Sequence, residues 1–107
     1  MADDARAEYD AIVADLCANA DVTSGKAFSM PCLKHAGKVL AGFYHGAMVF
    51  KLGATEHAAA LALAGAHPFD PSGAGRPWKE WVVVPSDHAA QWPALAREAL
   101  YYLTSTL

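Results

Sequence analysis

Residues 26–52, KAFSMPCLKHAGKVLAGFYHGAMVFKL, decide the fold of this chain. His35-Ala36-Gly37 and His45-Gly46 divide the stretch into three pieces of strand length, and in the second and third of these the larger apolar residues recur at alternate positions. Alternation broken by short glycine turns predicts three strands in an antiparallel meander. In the second strand Val39, Ala41 and Phe43 share a face, and in the third Met48, Phe50 and Leu52 do so. These sets carry the larger side chains and are assigned to the core, which puts Leu40, Tyr44, Ala47 and Val49 on the outer face. Pro31 has no N–H to give a ladder, so the first strand is expected at an edge or at a bulge.

Upstream, Tyr9, Ile12, Val13, Leu16, Cys17 and Ala20 follow helical spacing with acids between them, which predicts an amphipathic helix over 4–19. Asp3 or Asp4 can cap it, and Thr23-Ser24-Gly25 reads as its exit. Downstream, Thr55 can cap a short alanine-rich helix, Glu56 to Ala64, that Gly65 stops. A proline- and glycine-rich stretch, 67–77, then joins a short strand near Phe69 to a strand over 78–84. Trp92, Leu95, Ala96, Ala99 and Leu103 form the stripe of a last helix at 93–105. The resulting fold class is α+β: a two-layer sandwich in which four or five antiparallel strands carry helices on one face.

The chain has 107 residues, enough for one domain that buries roughly 65% of its unfolded surface without disulfide or metal staples. Hydrophobic residues make up 54%, but alanine supplies 24 of them, so the large side chains are those of an ordinary core. The longest apolar run, Ala58 to Ala66, is too short to span a bilayer. The acidic N-terminus does not resemble a leader peptide, so a cytoplasmic location is expected, with Cys17 and Cys32 as free thiols packed in the core. The net charge of −3 divides unevenly. Lys26, Lys34, Lys38, Lys51, Arg76 and Lys79 face only Glu56 and Asp70 in the middle of the chain, whereas both ends are acidic. A mildly negative protein with a basic middle is expected to bind nucleic acid weakly at most.

Five histidines fall in five separate places and none forms an i, i+4 pair; Cys32 and His35 lack the second half of a zinc pattern. No metal and no cofactor are expected. No serine lies in a G-x-S-x-G context, and Thr23-Ser24-Gly25-Lys26 lacks the first glycine of a phosphate loop, so no catalytic residue is assigned. Arg76, Trp78 and Lys79 place guanidinium, indole and ammonium together, the combination that holds anionic aromatic groups or single strands. A Trp beside a Lys can equally cover a core while its neighbour snorkels. With Lys34 and Lys51, these three make up the candidate partner or anion surface. The outer face, with Leu40, Tyr44 and Val49, is the candidate dimer face, because a patch of several hundred Å² usually marks an interaction site.

Phe28-Ser29-Met30-Pro31-Cys32-Leu33-Lys34, Gly37-Lys38-Val39-Leu40-Ala41-Gly42, Pro68-Phe69-Asp70-Pro71 and Gly75-Arg76-Pro77-Trp78-Lys79-Glu80-Trp81-Val82-Val83-Val84-Pro85 together resemble stand-alone members of the TfoX/Sxy N-terminal domain family. More distantly, the chain is similar to the YjbR-like proteins. The resemblance covers nearly the whole chain and implies the element order αβββαββα. Full-length TfoX/Sxy proteins are bacterial competence regulators that also carry a C-terminal helical domain. The family offers no catalytic residue to carry over. The expectation is therefore a small bacterial binding or regulatory module, homodimeric and acting through a protein or anionic partner; an uncharacterised enzyme is the alternative. The two differ in that an enzyme needs titratable groups converging in a pocket.

Overall fold

The computed structural model describes residues 2–27, 30–70, 75 and 78–105, with side chains from residue 5 onward. Helix α1 (Ala2–Asn19) leads into four consecutive strands, β1 (Thr23–Ala27), β2 (Met30–His35), β3 (Lys38–Tyr44) and β4 (Ala47–Lys51). Helix α2 (Ala54–Leu61), strands β5 (His67–Pro68) and β6 (Trp81–Val84), a 3-10 segment (Ser86–Gln91) and helix α3 (Trp92–Ser105) follow. All strand pairs are antiparallel, in the order β1-β2-β3-β4-β6-β5. The α+β class with helices on one face of an antiparallel sheet is thus the observed fold. The sheet has six strands where four or five were expected, because Thr23–Ala27 forms an edge strand instead of a turn.

The two hairpin turns lie where the glycines put them. Ala36-Gly37 has φ of 52° and 80°, and His45-Gly46 has 50° and 79°. Two-residue loops with both φ positive match the twist of the flanking strands, and glycine reaches that region without a Cβ penalty.

Ala5, Tyr9, Ile12 and Leu16 of α1 and Trp92, Ala96, Ala99 and Leu103 of α3 pack with Ala60 of α2 against Leu33, Phe50, Leu52, Val82 and Val84. The indole N–H of Trp92 donates to the Val84 carbonyl at 3.2 Å, so the largest buried side chain keeps its polar atom satisfied. Cys17 is exposed, against the expectation of a packed thiol, since α1 turns the Tyr9–Ile12–Leu16 stripe inward; Cys32 is fully buried.

The facing of β3 differs from strict alternation. Pairing runs Cys32 to Gly42 and Leu33 to Ala41, then shifts so that Lys34 meets Val39. Leu40 is the extra residue of a β-bulge, and a bulge re-aims the side chains on either side of it. Leu40 and Ala41 therefore both join the helix-side core, and Val39 packs on the outer face. Pro31 does not make β2 an edge: it pairs with Lys26 of β1, and pairing with β3 begins one residue later.

The outer face carries a second core. Met30, Val49, Phe69, Trp81 and Val83 are buried there, with Tyr44, Ala47 and Trp78 packed against them. Phe69 fills the centre, edge-on to Tyr44 at 5.1 Å and to Trp78 at 5.3 Å between ring centroids. The candidate dimer face is corrected accordingly. Val49 is fully buried beneath the chain's own aromatic cover, Leu40 is fully buried on the helix side, and Tyr44 is half-buried. The one large hydrophobic left exposed among the described residues is Tyr101, on α3. No helix of the described residues is long and apolar enough to cross a membrane.

Candidate ligand-binding cleft

The strand expected over 78–84 begins only at Trp81, because residues 78–81 form a β-turn. The Trp81 N–H donates to the Trp78 carbonyl at 3.2 Å, and Glu80, third in the turn, has φ of +75°. A type II turn requires that value, and it favours glycine there. Holding a glutamate in this region costs on the order of 1 kcal/mol or more, and it persists only where surrounding contacts fix it. Two such contacts exist. The Glu80 carbonyl accepts the Leu52 N–H at 2.8 Å, which ties the turn to the end of β4, and the Glu80 carboxylate accepts a hydrogen bond from the Tyr102 hydroxyl of α3. That bond to a carboxylate raises the Tyr102 pKa above the ordinary tyrosine value, with desolvation adding to it.

This turn forms one wall of a cleft of about 580 Å³. Leu52, Ala54, Pro68 and Trp78 give it apolar surfaces, and His57, Lys79, Glu80 and Tyr102 give it polar ones. Ala54 is the first residue of α2; Gly53, not Thr55, occupies the capping position, and no side chain caps the helix. Gly53 is closely packed, since a Cβ there would lie 3.1 Å from the Tyr102 ring. His57 Nε2 lies 2.9 Å from the Trp81 carbonyl. A carbonyl only accepts, so Nε2 carries a proton and donates it there.

The candidate partner surface divides in two. Trp78 and Lys79 meet in the cleft, the first half-buried and the second exposed. Lys34 and Lys51 are half-buried on the outer face, opposite Val39 and Trp81 respectively, and two strands apart, roughly 10 Å. Arg76 lies outside the described residues. Sequence reasoning missed His57, Glu80 and Tyr102. The signal for Tyr102 was weak: a polar-tipped aromatic beside, and not on, the α3 stripe. The positive φ of Glu80 has no sequence signal at all.

Three of the other four histidines hold backbone carbonyls, His35 that of Asp21 at 2.6 Å, His67 that of Gly65 at 3.2 Å and His88 that of Ala64 at 2.8 Å, while His45 stacks on the Tyr44 ring at 4.1 Å between centroids. Among the described residues no group of three or more His, Cys, Asp or Glu side chains is placed to hold a metal ion. A second cleft of about 400 Å³ lies between α1 and β1, but its Arg6 is already bonded to Asp10 at 3.0 Å and stacked over Tyr9 and Phe43.

No protein-family model matches the chain, and no match was found among curated proteins or solved structures.

Proposed function

We propose that this chain is a small non-catalytic binding module, of the kind its resemblance to TfoX/Sxy N-terminal domains implies, and that the cleft beside the 78–81 turn holds a ligand that joins a carboxylate or similar anionic group to a flat aromatic body. The observation that carries the reading is the meeting of Trp78 and Lys79 across apolar walls. Lys79 is exposed and has no ion-pair partner among the described residues. An unpaired ammonium at an apolar, partly aromatic wall offers a ligand both charge and burial for a ring.

The enzyme reading is favoured by the gathering of His57, Glu80 and Tyr102 around the same cleft. Two of their protons are already committed, Tyr102 to Glu80 and His57 Nε2 to a backbone carbonyl, and no activated nucleophile lies among them. Groups that satisfy one another position a ligand more readily than they transform it.

The test is a titration with 3-phenylpropionate, an aromatic carboxylate, followed by amide chemical shifts. Shifts confined to residues 52–57, 78–81 and 102, with Lys79→Ala weakening binding about fivefold or more, support the reading. Shifts scattered over the surface, or affinity indifferent to Lys79→Ala, refute it.

A further inference from the structure

The cleft holds a charge that a simple anion does not explain. Glu80 follows Lys79 directly, and both line the same cleft. The Glu80 carboxylate receives one hydrogen bond, on Oε2, from the neutral hydroxyl of Tyr102. An ionised carboxylate offers about four lone-pair positions, so Oε1 in particular remains open to a donor. No cation pairs with Glu80 among the described residues, and Lys79 does not fold back on it.

The turn makes the glutamate harder to dismiss as an accident of composition. Its position calls for glycine, yet it carries a charged side chain at φ +75°, and the Tyr102 hydroxyl steadies the carboxylate against the wall of the cleft. A plain carboxylate ligand drawn in by Lys79 would meet this fixed negative charge at close range. A ligand carrying an ammonium beside its carboxylate would meet complementary charge at both points.

We infer that the ligand is a zwitterion, an α-amino carboxylate with an aromatic side chain: Lys79 takes its carboxylate, Glu80 its ammonium, and its ring lies against the apolar lining of Leu52, Ala54, Pro68 and Trp78. This rests on the reading of the cleft as a ligand site. It goes further in making Glu80 the residue that selects against simple aromatic acids. The sum of charges at the two ends of the site is close to zero, so binding depends on salt less steeply than that of a ligand held by Lys79 alone.

Three probes of one shape separate the contributions: L-phenylalanine carries both charges, 3-phenylpropionate lacks the ammonium and phenethylamine lacks the carboxylate. Each is titrated into the intact chain and followed by amide shifts. L-Phenylalanine is expected to bind at least tenfold more tightly than either analogue, since a hydrogen bond to a charged partner is lost in each. Glu80→Gln, which still accepts from Tyr102, should weaken L-phenylalanine about tenfold and leave 3-phenylpropionate equal or tighter. If 3-phenylpropionate binds as tightly as L-phenylalanine, the zwitterion is refuted while the binding-module reading stands. If none of the three binds, both fall. The comparison of ligands on the unaltered chain keeps the test valid even if the variant is poorly folded.

Discussion

Phe69→Ala tests whether the chain covers its own outer face. Phe69 is 1% exposed and touches the rings of Tyr44, Trp78 and Trp81, while its backbone N–H donates to the Trp81 carbonyl and its carbonyl accepts from Trp78. Truncating a buried phenylalanine costs about 3–5 kcal/mol in lost transfer energy and cavity formation. Relaxation is limited, because the cluster that holds Phe69 includes Val49, on a central strand pinned between β3 and β6. A domain of this size is stable by about 5–15 kcal/mol, so the variant should remain folded but lose a large share of its margin. At about 4 °C per kcal/mol, the melting temperature should fall by roughly 12–20 °C. Urea unfolding followed by far-UV circular dichroism gives the free energy. Binding of an apolar dye in the absence of urea reports the uncovered Val49, Trp81 and Val83. A loss below about 1 kcal/mol without new dye binding would show that Phe69 does not hold the cover, and the outer face would again be available to a partner.

Gly42→Ala should destabilise by about 1–3 kcal/mol, because the new methyl would lie 2.8 Å from Met30 Cε and 3.1 Å from the Pro31 carbonyl; combined with Met30→Ala in thermal melts, the two losses should sum to less than their separate values. Stability should fall as pH rises above about 10. Tyr9, through burial and then the nearby Cys32, and Tyr102, through its bond to Glu80, hold their protons in the folded state at a pH where an unfolded tyrosine loses them. Alkaline urea melts of Tyr9→Phe should show a shallower fall, and an unchanged slope would refute the assignment. A thiol reagent should modify Cys17 quickly and Cys32 only with denaturant, since Cys32 is fully enclosed and burial pushes its thiol pKa up; two fast thiols would contradict the packing of β2.

The elements legible in the sequence were those where one local rule acts alone. Ala36-Gly37 and His45-Gly46 were readable as turns because positive φ at both positions has a residue signature. The stripes of α1 and α3 were readable from spacing, apart from Cys17, one position too far round the helix. Strand β1 was not legible: Thr23, Ser24, Gly25 and Lys26 are all exposed, so no alternation marks them, and the ladder with β2 alone makes them a strand. Leu40 and Val39 exchanged faces because a bulge is a property of two paired strands, and neither strand encodes it by itself.

The same reasoning explains why Trp78 and Lys79 of the candidate cleft were found and His57, Glu80 and Tyr102 were not. Trp78 and Lys79 stood out as residue types, and the chemistry of an indole beside an ammonium does not depend on where the backbone goes. Glu80 took on meaning only once Leu52 was seen to hold its carbonyl and Tyr102, 22 residues later, its carboxylate. A strand at 78–80 would have sent Lys79 and Glu80 to opposite faces of the sheet, and the two charges could never have met one ligand. The turn reverses that outcome. By breaking the alternation just before β6, it sets consecutive residues of opposite charge into one cleft, so the departure from strand geometry that sequence reasoning could not foresee is also what makes a two-charge site possible.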